Sequence, residues 1–93
     1  MTKADLVAKV AKETGLSKTE TAFVVNKIIE VIKRSVTSGE SIEIRRFGVF
    51  QLKKRKKRIA RNPRTGEPVP IPERFVPFFK PSTEFKKRVK VKP

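Results

Sequence analysis

The sequence predicts an α+β domain: two N-terminal helices, a three-stranded antiparallel sheet with a protruding two-stranded β-arm, and a short C-terminal helix. Three observations support this fold class. Apolar residues recur with helical spacing to about residue 38, alternate with polar residues from residue 41, and give way to an unbroken basic run after residue 52. The 93 residues are enough for one domain.

Two helices account for the first part of the chain. Thr2 suits the N-cap of a helix over residues 3–14, and Gly15 is a natural stop after it. Ser17 and Glu20 have the spacing of a capping box, which predicts that a second helix begins there. This helix continues to about residue 38, where Gly39 ends it.

The second helix is apolar around more than half of its circumference. A helix of this kind is usually buried in a large core, and the first helix is too narrow to cover it. A second copy of the chain would supply the missing surface. One apolar seam comprises Ala22, Val25, Ile29, Ile32 and Val36, and the other comprises Val24, Ile28 and Val31, with Phe23 beside it.

Strands begin where the apolar period changes to two. Ile42 and Ile44 alternate with polar residues, and the alternation resumes at residues 50 and 52. Gly48 marks a tight turn or bulge between these two strands. We expect an aromatic core made of Phe47, Phe50, Phe78 and Phe79.

The arm is predicted from a change in composition. Residues 53–58 are all Lys or Arg, so a strand here has no apolar face to pack on a core. Residues 61–67 are rich in turn formers, and prolines follow at 68, 70 and 72. Because alternate residues of a strand direct their N–H groups to the same edge, this spacing removes donors from one edge and leaves the other able to pair.

An apolar strand over residues 74–80 and a short helix complete the fold. Ser82 suits the N-cap of this helix, and Phe85 and Val89 are spaced to anchor it. The last residues, 90–93, are expected to form a frayed basic tail. We therefore divide the single domain 1–93 into a helical dimerisation part with the first strands (1–52), a β-arm (53–74) and a C-terminal part (75–93).

The charge is concentrated in the second half of the chain. The protein has 24 Lys and Arg against 9 Asp and Glu, a formal charge of +15. Residues 1–44 hold seven basic and six acidic side chains, net +1, whereas residues 45–93 hold seventeen basic and three acidic ones, net +14. This distribution predicts a balanced folding unit followed by a surface for a polyanion.

Several classes of function are disfavoured. The chain has no Cys and no His, and no carboxylate pair or nucleophile motif has catalytic spacing, so we expect neither an enzyme nor a cofactor or metal site. The N-terminus lacks the apolar segment of a secretion signal, and the long helix is nearly charge-balanced, which disfavours a membrane partner. DNA and RNA remain as partners.

Three motifs in register then identify a resemblance. Residues 47–50 read Phe-Gly-Val-Phe, residues 61–67 read Arg-Asn-Pro-Arg-Thr-Gly-Glu, and residues 76–82 read Val-Pro-Phe-Phe-Lys-Pro-Ser. The chain resembles, from residue 2 to about 89, the bacterial histone-like family of HU and integration host factor. The resemblance implies an intertwined dimer, a cytoplasmic, nucleoid-associated location, and two arms that bend and condense double-stranded DNA through its minor groove.

The resemblance also implies DNA-contacting residues. Pro63 matches the proline that inserts between base pairs, although from the residues alone it fits an ordinary turn proline. Ile71 matches an apolar residue that backs this proline across the tip. The matched tip residues are Arg61, Asn62, Arg64, Thr65 and Gly66, and the remaining matched positions, most of them facing the DNA backbone in the family, are Lys3, Arg46, Lys53, Arg55, Arg58, Lys80, Ser82 and Lys86.

The expected binding is governed by DNA shape more than by sequence. The minor groove offers only a degenerate base pattern, and nicked, gapped or bent DNA avoids part of the unstacking cost. The uniformly basic run at 53–58 predicts strong salt dependence and little discrimination. We expect a homodimer as the simplest arrangement. For the function, the alternative is a site-specific bender similar to integration host factor, and an RNA-binding protein is a weaker alternative.

Overall fold

A computed structural model describes residues 1–89 and confirms the predicted α+β fold. The elements are α1 (Lys3–Thr14), α2 (Lys18–Thr37), β1 (Ile42–Ile44), β2 (Gly48–Arg55), β3 (Arg58–Arg61), β4 (Pro68–Ile71), β5 (Arg74–Pro81) and α3 (Thr83–Arg88). The basic tail predicted at residues 90–93 lies outside the described residues. Within residues 1–89, no helix combines the length and the apolar character needed to cross a membrane.

The chain divides into two compact units, residues 1–34 and residues from 35 onward. In the first unit, Thr2 caps α1 through its hydroxyl, which accepts from the Asp5 N–H, while the Asp5 carboxylate accepts from the Thr2 N–H. Gly15 ends α1 with φ 77°, a left-handed conformation that favours glycine. Ser17 caps α2 by accepting from the Glu20 N–H at 3.1 Å. Both predicted helix starts are confirmed.

The two apolar seams of α2 differ in burial. Residues of the first seam are buried or half-buried, ending with Val36 at 6% exposure. The second seam is exposed: Phe23 is 69% accessible and Ile28 is 52% accessible. The sequence-based expectation of apolar surface in excess of what one chain can bury is therefore confirmed.

The second unit contains two antiparallel sheets. One has three strands in the order β1-β2-β5, and the other consists of β3 and β4 alone. The second sheet is the arm. Its pairs run from Arg58 opposite Ile71 to Arg61 opposite Pro68. The three-stranded sheet reaches Arg55 opposite Arg74, so it extends into the segment predicted as arm.

Gly48 is required by a close approach between β2 and β5. A Cβ atom at this position would lie 2.5 Å from the Lys80 carbonyl oxygen and 2.6 Å from the Phe79 ring. The turn before it is closed by the Phe47 N–H, which donates to the Ile44 carbonyl at 3.0 Å. Arg46 in this turn has φ 68°, a left-handed conformation that is costly for a side chain with a Cβ.

The aromatic cluster differs from the expected one in one member. The rings of Phe47, Phe50 and Phe79 are joined by Phe85 of α3, with Phe47 and Phe85 stacked at 5.4 Å between centroids. Placing Phe78 in this core was wrong, because neighbouring residues of a strand point to opposite faces of the sheet. Of the two anchors predicted for α3, Phe85 is confirmed, whereas Val89 is 62% exposed.

Candidate nucleic-acid interface

The hydrogen-bond phase of the three-stranded sheet decides which side chains share a face. In an antiparallel ladder, hydrogen-bonded pairs alternate with non-hydrogen-bonded pairs. The Ser82 N–H donates to the Phe47 carbonyl at 2.9 Å, at the end of the β2–β5 ladder. Counting from this bond in the observed register, odd-numbered residues of β2 occupy hydrogen-bonded pairs. Pro77 and Pro81, which have no N–H, fall on the other pairs, as they must.

The arm has the opposite phase. The Asn62 N–H donates to the Glu67 carbonyl at 2.9 Å, just beyond the Arg61–Pro68 pair. Even-numbered residues of β3 therefore occupy the hydrogen-bonded pairs, and Pro68 and Pro70 direct their nitrogens to the outer edge. For these two prolines, the expectation that one edge of the arm is blocked and the other is free to pair agrees with the observed register.

The change of phase occurs at a two-residue break in each strand. Residues 56–57 separate β2 from β3, and residues 72–73 separate β4 from β5. The break skips the same number of residues in both strands, so the register of residues opposite each other continues from the Arg55–Arg74 pair to the Arg58–Ile71 pair. Because side chains of hydrogen-bonded pairs all point to one face of a ribbon, the shift brings Arg58 to the face that carries Arg55. Three residues apart in an unbroken strand, they would point in opposite directions.

We call this surface of the ribbon the basic face. Its counterpart, the aromatic face, carries Phe50, Leu52 and Lys54 of β2, with Phe79 and Phe75 of β5. On the basic face, the Lys53 ammonium lies 4.4 Å from the centroid of the Phe78 ring. The cationic residues of the basic face are Lys53, Arg55, Arg58, Arg74 and Lys80.

Arg74 is the member of the basic face that sequence reasoning missed. The other four were matched through the family resemblance, and the structure brings them to one surface. The signal for Arg74 is present in the prolines: those at 68, 70 and 72 share one parity, and those at 77 and 81 share the other. A strand in which proline nitrogens always face outward must change phase between the two groups.

The arm tip is closed by its own hydrogen bonds. Besides the N–H bond to Glu67, the Asn62 carbonyl accepts from the Gly66 N–H at 2.7 Å, and its side-chain oxygen accepts from the Arg64 N–H at 2.9 Å. Gly66 adopts φ 73°, where a Cβ would be disfavoured. Pro63 stands in this loop, exposed to solvent. The turn is therefore specified by Asn62, proline and glycine chemistry.

Two further tip side chains brace the loop. The Thr65 hydroxyl accepts from the Glu67 N–H at 3.3 Å. The Arg61 guanidinium donates to the Gly66 carbonyl at 3.1 Å, across the base of the loop. Arg64 is exposed beside Pro63. The six predicted tip residues, Arg61 to Gly66, thus form one ordered loop.

Ile71 does not lie where the resemblance implied. It pairs with Arg58 at the inner end of the arm, three register positions from the Arg61–Pro68 pair that borders the tip. The expectation that it backs Pro63 across the tip is wrong in position, because the loop closes over residues 62–67 and Ile71 falls four residues beyond it. A DNA contact by Ile71 from the basic face stays a prediction.

The remaining predicted contacts lie at the start of α3 and in α1. The Ser82 hydroxyl accepts from the Phe85 N–H at 3.1 Å and so caps α3, which also carries Lys86. Arg46 forms an exposed ion pair with Glu84, with 3.5 Å between guanidinium nitrogen and carboxylate oxygen. Lys3 is the first residue of α1, in the compact unit formed by residues 1–34. Within residues 1–89, no three carboxylate, imidazole or thiol groups are placed to hold a metal ion.

Comparison with known proteins agrees with this geometry. The family model for "Bacterial DNA-binding protein" matches residues 1–90. The SPbeta prophage-derived DNA-binding protein HU 2 of Bacillus subtilis is 44% identical over 92 residues, covering 99% of this chain and 100% of that protein. The β subunit of integration host factor from Marinobacter nauticus is 46% identical over 90 residues, covering 96% and 92%.

Solved structures match the fold over nearly the whole chain. An HU protein from an Anabaena HU–DNA cocrystal superposes with a TM-score of 0.90 at 34% identity, covering 97% of this chain and 98% of that one. HU from Thermotoga maritima superposes with a TM-score of 0.69 at 28% identity, covering 97% and 100%. The basic ribbon, the closed proline tip and these matches together establish that the chain belongs to the bacterial DNA-binding protein family of HU and integration host factor.

Proposed function

We propose that this protein is an architectural DNA-binding protein that bends and condenses double-stranded DNA with little sequence specificity. The observation that carries the proposal is the arm: a ribbon whose basic face leads to an ordered loop with Pro63 exposed between Arg61 and Arg64. DNA-binding proteins of the β-ribbon type can place strands in the minor groove, and proline is among the side chains that act as wedges between base steps.

Phosphate contacts supply the affinity. Each Lys or Arg that neutralises a phosphate releases condensed counterions, so the binding constant falls steeply with salt. The cationic groups of the basic face, with Lys3, Arg46 and Lys86, are the proposed contacts. With a formal charge of +15 per chain, a protein making about 6–10 such contacts loses about 10³–10⁵ in affinity between low and moderate salt.

The tip supplies the bend. Pro63 has no N–H to satisfy, and the surrounding loop already satisfies its own donors at residues 62, 64, 66 and 67. The wedge can therefore enter a base step with few unpaired polar groups. Unstacking costs a few kcal/mol, which added backbone contact offsets once the DNA is bent. Nicked, gapped or pre-bent DNA should bind more tightly because part of this cost is absent.

A homodimer is part of the proposal. Of the large apolar side chains in residues 1–89, none is completely buried, and the second seam of α2 is exposed. Contiguous apolar surface of this kind marks an interaction site, and a second copy of the same helix is a self-complementary partner. Two chains present two arms and a formal charge of +30. The DNA-wrapping unit is therefore the dimer.

The proposal also assigns a setting and excludes a reaction. A protein that coats and bends the bacterial chromosome acts in the cytoplasm, on the nucleoid. Its work is done by binding free energy, without a chemical step, a cofactor or a small-molecule substrate. Unchanged DNA recovered after prolonged incubation with the protein and divalent cations would support this part.

A site-specific bender is the second candidate, because subunits of integration host factor are among the relatives at 44–46% identity. The two candidates differ in one measurable ratio. A general bender binds random duplexes of equal length with similar affinity, whereas a site-specific one binds its site about 10³-fold or more tightly than other DNA. Selection from a random duplex pool should yield no common motif if the general role is correct.

The decisive experiment measures affinity and end-to-end distance together. End-labelled duplexes, intact, nicked and gapped, are titrated at two salt concentrations, and energy transfer between the ends reports bending. We expect a steep salt dependence, shortened ends, and tighter binding to the nicked and gapped forms. Equal affinity for all duplexes with unchanged end-to-end distance would contradict the proposal.

Pro63→Ala tests the wedge directly. We expect it to lose most of the shortening and the preference for distorted DNA while the salt dependence persists, because phosphate contacts remain. Pro70→Ala is the matched control: it makes the same change in the same arm, at a position whose nitrogen faces the outer edge. If both variants bend DNA as the parent protein does, Pro63 is an ordinary turn proline.

A further inference from the structure

Two arginines stand directly opposite each other where the arm leaves the sheet. Arg55 of β2 and Arg74 of β5 are register partners at the last pair before the break. They occupy a hydrogen-bonded pair, so both side chains point to the basic face. Like charges directly opposite in a ladder repel and destabilise it. Both side chains are exposed, and no ion pair involves either one among residues 1–89.

The cleft beside this pair is lined by basic residues alone. An open cleft at the break is lined by Arg55, Lys56, Lys57, Arg58 and Arg74. Five cations with no acidic group in the lining create a positive potential that attracts an anion. The planar guanidinium groups can each give two parallel hydrogen bonds to a phosphate, which an ammonium cannot.

The opposite face at the same level is compensated. Lys54, one residue away from Arg55 in the chain, lies on the aromatic face and pairs with Glu73 at 3.3 Å between ammonium and carboxylate. The break therefore carries a neutralised cation on one face and an unneutralised arginine pair on the other. The exposed carboxylate at the break, that of Glu73, pairs with Lys54 of the aromatic face and not with either arginine of the basic face.

We propose that Arg55 and Arg74 together bind one phosphate of the DNA backbone at the base of the arm. The proposal rests on the proposed function, and it adds a fixed contact at the point where the arm departs from the sheet. A bound phosphate placed between the two guanidinium groups converts their repulsion into two attractive contacts. The phosphate thereby holds the arm base against the duplex while the tip enters the groove.

The central test compares Arg74→Gln with Lys54→Gln. Both remove one positive charge from the same ladder, but from opposite faces. For Arg74→Gln we expect the slope of log affinity against log salt to fall in magnitude by about 0.9 per chain, or about 1.8 per dimer. For Lys54→Gln we expect the slope to stay within error of the parent protein. Equal changes in the two variants would mean a diffuse field and would overturn the proposal.

Thermal unfolding without DNA separates a binding role from a structural one. Removing Arg74 relieves the repulsion with Arg55, so the melting temperature should rise or stay constant while DNA affinity falls. Lys54→Gln should lower the melting temperature slightly, because it removes an ion pair. A lower melting temperature for Arg74→Gln would show that the side chain supports the fold, and the phosphate role would have to be abandoned.

The double variant Arg55→Gln/Arg74→Gln tests whether the two share one phosphate. If they do, the double variant loses less than the sum of the two single losses, because either one already weakens the same contact. Independent phosphate contacts would give additive losses and refute the shared site. The end-to-end distance is measured in the same titrations and tests the proposed function separately. Absence of bending by the parent protein would contradict the proposed function, whereas the salt slopes of the variants test the arginine pair.

Inorganic pyrophosphate distinguishes the source of the phosphate. The same arginine pair could take a small polyanion in place of the DNA backbone. If millimolar pyrophosphate raises the melting temperature of the parent protein but not of Arg74→Gln, while the DNA salt slopes of the two are equal, the site serves small polyanions and the DNA-backbone role is wrong. Different salt slopes support the proposal.

Discussion

The helical unit and the ribbon unit leave opposite kinds of surface unsatisfied. Residues 1–34 pair Lys27 and Arg34 with Glu30 and carry a net formal charge of only +3, from seven basic and four acidic side chains, but α2 exposes Phe23 and Ile28. Residues 35–89 gather four of their six phenylalanine rings into one cluster, but their basic face holds cations that face each other. One unit lacks apolar contacts, and the other lacks negative charge.

This difference indicates two kinds of partner. Exposed apolar surface is stabilised by burial in an interface that excludes water, a non-directional effect proportional to area. Exposed like charge is stabilised by a polyanion, and the effect weakens with salt. The first interaction should therefore be insensitive to salt and the second strongly sensitive. Substitutions in each unit can test whether the two interactions are as separate as the surfaces suggest.

The largest effect is expected from Phe23→Ser in the helical unit. A phenylalanine that becomes buried at an interface contributes about 1.5–3 kcal/mol. Loss of two copies should therefore weaken a homodimer by about 3–6 kcal/mol, or about 10²–10⁴ in its dissociation constant. Sedimentation velocity over a concentration series measures this change.

Lys33→Ser is the matched control, because it changes an exposed residue of the same helix. It should leave the dissociation constant nearly unchanged at any salt concentration. A monomeric parent protein, or a dimer unaffected by Phe23→Ser, would show that this apolar surface does not form a homodimer interface. The exposed seam would then need a different partner.

Gly48→Ala should have the next largest effect, in the ribbon unit. The new methyl group would meet the Lys80 carbonyl oxygen at 2.5 Å, and backbone atoms cannot move aside cheaply. We expect a loss of about 3 kcal/mol in the free energy of unfolding, typical of overpacking. Gly39→Ala, with φ 89° and no atom within 4 Å, serves as control and should lose only about 1 kcal/mol. Denaturant unfolding compares the two, and similar losses would contradict the close-approach explanation.

Much of the fold was predictable because the signals are local. Helix starts are set by a hydroxyl and a carboxylate three residues apart, as Thr2 and Ser17 show. The excess apolar surface of α2 could be read from its two seams, and the arm from its basic strand and prolines. Proline spacing alone predicted that one edge of the arm lacks N–H donors and that the other edge can pair. These features depend on a few neighbouring residues, so one sequence is enough to reveal them.

The errors came from applying a local rule incompletely or from needing the register. Phe78 and Phe79 are adjacent in a strand, so only one could join the core, and Phe78 instead lies beneath Lys53. Ile71 was assigned to the tip through the family resemblance alone, and the register places it opposite Arg58. Arg74 became visible only when the phase change was located. Pairing between distant segments sets these positions.

The smallest predicted effect concerns pH and the first helix. The Thr2 N–H donates to the Asp5 carboxylate, and the Thr2 hydroxyl further stabilises the charged carboxylate. Both interactions hold the pKa of Asp5 below its ordinary value. A carboxyl group whose pKa is lower in the folded state than in the unfolded state stabilises the fold above the unfolded value, about 3.9. This stabilisation is lost as the pH falls through the folded pKa.

Asp5→Asn should therefore have a lower free energy of unfolding than the parent protein at pH 7. The free energies of unfolding of the two proteins should converge as the pH approaches 2. Glu13→Gln, which removes an exposed carboxylate near the other end of α1, is the control for net charge.

Thr2→Val removes the hydroxyl but keeps the N–H, so it should raise the pKa of Asp5 only part of the way, because the backbone bond is the larger cause. Carboxyl chemical shifts followed by NMR from pH 2 to 6 give this pKa directly. An Asp5 pKa that Thr2→Val does not change would mean that the Thr2 hydroxyl caps the helix without stabilising the carboxylate, and that the Thr2 N–H alone lowers the pKa of Asp5.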